Sequence, residues 1–135
     1  MTEHDHNLAH ARATLAEARY RTEIRAGHHD FVADEPASAG GADAGPNPFA
    51  LVMSGLGACT AITLRMYAER KGWVLKGLSV GLTCYRDADR SVKVDRVISM
   101  DGLDGEQKNR MLEIAEKTPV TLALKSGMPI ATTLV

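Results

Sequence analysis

Apolar and polar residues first alternate regularly at Ala18, where Ala18, Tyr20, Thr22 and Ile24 fall on one side and Arg19, Arg21, Glu23 and Arg25 on the other. A period of two is that of a half-buried strand. Ala26-Gly27 supplies a turn, and His28 to Ala33 reads as its hairpin partner. Residues 34–47, DEPASAGGADAGPN, hold no apolar side chain larger than alanine and read as a loop long enough to cover a site. Asn47-Pro48 then joins an N-cap residue to a proline at the first helical position. No proline follows until well past Arg70, so the spacing predicts a helix from Pro48 to about Arg70, roughly 35 Å long. Its first part, FALVMSGLGACTAITL, is free of charge. A helix apolar on every side needs protein around it, so it is expected to run through the core, with only residues 65–71 reaching water.

Beyond Gly72 the period returns to two. Val74, Leu78, Val80, Leu82 and Cys84 share one parity and predict a strand from about Leu75 to Arg86, and Asp87-Ala88-Asp89 turns the chain. Val92, Val94, Arg96, Ile98 and Met100 continue as a second strand, giving a hairpin. Asp104 with Gln107 makes a capping box for a helix that presents Met111, Leu112, Ile114 and Ala115 to the interior. Thr118-Pro119 opens a second short helix that stops at Gly127, and Pro129 to Val135 reads as a closing strand. Strands grouped at both ends of a long central helix indicate an α+β fold. The chain reads as a polar tail, residues 1–10, followed by one domain, residues 11–135. His4, His6 and His10 in the tail read as solvated, the alternative being a loose metal chelate.

Composition narrows the function classes. Sixteen basic and 17 acidic side chains among 135 residues nearly cancel, which gives no footprint for nucleic acid or an anionic membrane. No run approaches roughly 18 uninterrupted apolar residues, and the start lacks a secretion-signal layout, so a cytoplasmic protein without a membrane span is expected. Two cysteines 25 residues apart fit neither a disulfide scaffold nor a metal-ligand spacing, and no cofactor motif is present. Cys59 lies in the charge-free helix among Ser54, Gly55, Gly57, Ala58, Thr60 and Ala61. Interior glycines each cost a helix roughly 1 kcal/mol relative to alanine, which implies the close approach of another backbone, a partner helix or a ligand. By composition alone Cys59 reads first as a small core hydrophobe.

The segment GPNPFALVMSGLGACTAITLRMYAERKGW, Gly45 to Trp73, resembles the central-helix signature of the OsmC/Ohr family, and the preceding DEP, GG and GP elements of residues 34–46 resemble the same branch. The resemblance extends over nearly the whole chain from about Ala16. It implies an intertwined homodimer with active sites at the subunit interface, acting on small-molecule organic hydroperoxides. In the better-known members one helix cysteine attacks the peroxide, becomes a sulfenic acid and condenses with a second cysteine in a Cys-Pro-Val sequence, and a dithiol reductant restores both. Cys59 matches the peroxide-reactive cysteine. A thiol reacts as its thiolate, which burial opposes, so a positive charge is needed. The resemblance implies an arginine oriented by a glutamate nine residues before the cysteine, and Ala50 stands there. Arg25 is the candidate cation, with His28 and His29 behind it, although Arg25 also reads as an exposed strand residue. Thr118 occupies the second-cysteine position, so an external thiol or dithiol would have to resolve a sulfenic acid. Cys84 points inward by parity and reads as core. Three readings stay open: a one-cysteine thiol peroxidase, a non-catalytic dimer binding an apolar small molecule at its interface, and a structural cysteine.

Overall fold

The computed structural model describes residues 7–135, so His4 and His6 lie outside the described residues. Strands β1 (Ala11–Leu15), β2 (Thr22–Ala26) and β3 (His29–Ala33) precede helix α1 (Pro48–Lys71), the hairpin β4 (Gly77–Arg86) and β5 (Val92–Asp101), and helices α2 (Gly105–Ala115) and α3 (Pro119–Ser126). The chain forms two compact units, Met1–Leu51 and Val52–Val135.

In the first unit β1, β2 and β3 form an antiparallel sheet in that order. β1 was not expected, and the strand foreseen from Ala18 begins only at Thr22. Ala16 N–H donates to Arg21 O and Arg21 N–H to Ala18 O, while Arg19 takes φ 45°, so residues 16–21 turn the chain between β1 and β2. The alternation read back through Ala18 and Tyr20 therefore crosses a turn in which both are exposed. Gly27, at φ 60°, leads the tight turn into β3, with Ala26 opposite His29. The following loop is organised by Asp34, only 3% exposed. Its carboxylate accepts from the backbone N–H groups of Glu35 (2.8 Å), Ala42 (3.3 Å) and Ala44 (3.1 Å). Those donors, Ala44 first, hold the Asp34 carboxyl below its ordinary value against the opposing effect of burial. Gly41 and Gly45 are required there, because a Cβ would stand 2.0 Å from Glu35 O and 1.9 Å from Val32 O respectively.

In the second unit, Leu64, Ala68, Leu75, Met100, Leu103, Met111 and Ala115 form the core, joined by Tyr67, Trp73, Leu78, Ile98 and Ile114. Fully burying a side chain such as Leu64 or Met111 contributes roughly 1.5–3 kcal/mol. The β4–β5 register sets Leu78 opposite Met100 and Val80 opposite Ile98, and these four face the core with Leu82, Cys84 and Arg96 on the same row, whereas Val74, Val92 and Val94 are exposed. The capping box at α2 is formed, with Gln107 N–H donating to Asp104 Oδ1 (2.8 Å) and Asp104 N–H to Gln107 Oε1 (2.9 Å). Leu112, expected inside, is 49% exposed, because α2 buries only the stripe carrying Met111 and Ala115.

Two expectations about exposure are corrected. Within one chain α1 buries only Leu56, Thr60, Leu64 and Ala68, one residue per turn, while Phe49, Val52, Ile62 and Met66 stay exposed. By length and composition alone this helix would also cross a membrane, although its buried stripe packs on a protein core. The closing strand is not formed either. Among the described residues, 127–135 have no ladder partner, and Met128, Ile130 and Leu134 are exposed.

Candidate functional site

Cys59 sits on α1 directly before Thr60 of the buried stripe, and its side chain is half-buried. Pro119, at the first position of α3, has no N–H, so Val120 carries the first free backbone donor of that helix. Val120 N–H donates to Cys59 Sγ at 3.5 Å. An N–H of a helix's first turn has no partner within its own helix and is free to donate to the sulfur.

Behind this contact lies a polar cluster centred on Arg96, from the inward row of β5, whose side chain is 12% exposed. Nη1 donates to Thr60 Oγ1 (3.0 Å) and Thr121 Oγ1 (2.8 Å). Nη2 donates to Ala115 O (3.1 Å) and Glu116 Oε2 (3.0 Å). Thr60 is oriented to accept, because its own hydroxyl donates to Leu56 O at 2.7 Å. Lys125 Nζ donates to Glu116 Oε1 at 2.6 Å, and Lys125, with a smaller contribution from Arg96, keeps the Glu116 carboxyl below its ordinary value. Thr118 caps α3 in backbone position only. Its hydroxyl is buried against Thr121 Oγ1 at 2.6 Å and makes no cap bond to the helix backbone. Beside the cluster opens a cleft of about 410 Å³ lined by Leu56, Val94, Arg96, Glu116, Thr121, Leu124 and Lys125.

Arg25, the cation read from sequence, lies on an exposed face of the first unit and pairs with Asp30 at 3.0 Å. His28 and His29 stack at the β2–β3 turn, with ring centroids 4.1 Å apart. Cys84 is half-buried on β4 opposite Val94, and both cysteines are free thiols. Ala50 lies in the first turn of α1, its N–H donating to Asn47 Oδ1 at 2.8 Å. Among the described residues no three His, Cys, Asp or Glu side chains gather as metal ligands. Sequence reasoning missed Arg96 as a member of the site. The signal was available, since an arginine in an inward row between Val94 and Ile98 needs buried acceptors.

A model of the OsmC-like protein family matches residues 40–133, which include α1 with Cys59, the hairpin with Arg96, and α3. The chain belongs to the OsmC-like family. Solved OsmC-like structures share its fold. A Psychrobacter arcticus protein, named for osmotic stress and the detoxification response, superposes with a TM-score of 0.75 at 20% identity over 96% of this chain and 93% of its own. The OsmC-like protein of Mycoplasma pneumoniae gives 0.72 at 19% identity over 90% and 89%. The organic hydroperoxide resistance protein OhrB of Bacillus subtilis gives 0.63 at 24% identity over 88% and 91%. No curated protein matches the sequence.

Proposed function

We propose that this OsmC-like protein is a one-cysteine, thiol-dependent peroxidase acting on organic hydroperoxides, working as a cytoplasmic homodimer in defence against oxidants. The observation that carries the reading is the Val120 N–H directed at the half-buried Cys59 Sγ, a backbone donor set beside the sulfur that the peroxide would meet. Kinship with proteins named for hydroperoxide resistance adds to it. The thiolate attacks the outer peroxide oxygen, the O–O bond breaks, and the alkoxide leaves as an alcohol after taking a proton from solvent, leaving a sulfenic acid on Cys59. With threonine at position 118, a small external thiol condenses with the sulfenic acid and releases water. A second thiol then reduces the mixed disulfide.

Stopped-flow mixing of the reduced protein with an organic hydroperoxide tests the reading. Fast, second-order loss of one thiol, absent in Cys59→Ser, is expected. Oxidation no faster than that of free cysteine sinks it. A second reading, a dimer that binds an apolar small molecule without turning it over, draws on the cleft walled by Leu56, Val94 and Leu124 together with Thr118 in the second-cysteine position. Saturable binding of the hydroperoxide's alcohol analogue, with no thiol oxidation, would favour it.

A further inference from the structure

One side chain ties together the pieces that meet at Cys59. Arg96 reaches the middle of α1 through Thr60, the last residue of α2 through Ala115 O, and the first turn of α3 through Thr121. Thr60 is the residue after Cys59, and Thr121 the residue after Val120, so one guanidinium nitrogen fixes the immediate neighbours of both partners in the sulfur contact. The fork geometry of arginine suits this, since each terminal nitrogen offers two donors in a fixed plane. Glu116, steadied by Lys125, holds the outer edge of that plane. At Ala115 the guanidinium also meets the carbonyl end of α2, where a cation is favoured. We infer that Arg96 is a positioning residue for Cys59: it clamps α1 to the N-terminus of α3 and so sets the contact between Cys59 Sγ and the Val120 N–H.

The inference rests on Cys59 being the reacting thiol, and its test includes readouts that do not need peroxidase activity. In a Cys84→Ser background, the Val120 amide proton shift is compared in the parent, Cys59→Ala, Arg96→Met and Arg96→Lys proteins, and Cys59 alkylation by a neutral reagent is timed alongside. Arg96→Met is expected to move the Val120 amide toward its position in Cys59→Ala and to slow alkylation by at least about tenfold, since small misplacements of reacting groups are costly. Arg96→Lys, which keeps the charge but loses the fork, should fall between. If Arg96→Met does not fold, Thr121→Val removes the Arg96 bond to α3, together with the Thr121 contacts to Thr118 and Ala115 O, while leaving Arg96 on Thr60, and should shift the same amide in the same direction. An unmoved Val120 amide, or a moved amide with alkylation unchanged, overturns the clamp. Slow hydroperoxide chemistry in the parent, with both readouts behaving as expected, would remove the peroxidase reading and leave the clamp standing.

Discussion

At the residue scale the position of Thr118 decides what can follow oxidation of Cys59. It lies two residues before Val120, whose N–H meets Cys59 Sγ, so a thiol placed there is carried on the same helix end that meets Cys59. Thr118→Cys is expected to form a disulfide with Cys59 after one equivalent of hydroperoxide, read as a loss of two hydrogens in intact mass and of two alkylatable thiols. The variant loses the buried Thr118–Thr121 hydroxyl contact, which should lower stability by about 1 kcal/mol. In the parent the same treatment should leave Cys84 alkylatable, because Cys84 sits on β4 and α3 supplies the group at Cys59. A Cys59–Cys84 disulfide in the parent would contradict this and revive a two-cysteine mechanism.

At the scale of elements, the loop of residues 34–46 carries a pH dependence of known sign. The folded Asp34 carboxyl is depressed, so its contribution is complete above the ordinary carboxylate value of about 3.9 and is lost as pH falls through the lower folded value. Amide shifts of Ala42 and Ala44 should therefore titrate together below that range, and the step should vanish in Asp34→Asn. Gly45→Ala should destabilise by more than about 2 kcal/mol, because backbone at Val32 O cannot yield to the new Cβ. Chemical denaturation measures it. Most elements were legible in the sequence because local chemistry specifies them: Asn47-Pro48, Asp104 with Gln107, and Gly127 mark helix ends through backbone bonds near in sequence. β1 was not, since the short alternation of ARATL offers only two alanines and one leucine and all five residues are exposed, so its strand form comes from pairing with β2. The same limit hid the site. Cys59 was found through its surroundings on one helix, whereas Arg96, Ala115 and Thr121 join it only through contacts that span 19 to 36 residues.

At the scale of the whole molecule, the exposed side of α1 asks for a covering surface. Leu56, Thr60, Leu64 and Ala68 occupy the chain's own core, while Val52, Ile62 and Met66 face outward on the other side together with Gly55. Cys59 stands half-buried at the edge between the two stripes, so whatever covers the outer one also completes its surroundings. The two helix glycines separate the cases. A Cβ on Gly57 would meet Leu82 Cδ1 at 2.9 Å inside the same chain, whereas one on Gly55 would meet nothing within 4 Å. A glycine with open space above it still costs the helix roughly 1 kcal/mol, which close approach of a second α1 would offset. Residues 127–135 add Met128, Ile130 and Leu134 to the apolar surface. Stable dimers of this kind bury upwards of about 1,200 Å². Sedimentation at low micromolar concentration should therefore give a dimer for the parent, a weakened dimer for Gly55→Ala, and a monomer for Ile62→Glu. The Gly55→Ala chain, once separated, should be no less stable than the parent, because alanine is the better helix former and touches nothing in its own chain. A parent that sediments as a folded monomer, or a Gly55→Ala variant that associates as tightly as the parent, would show that α1 is covered by something other than a second copy.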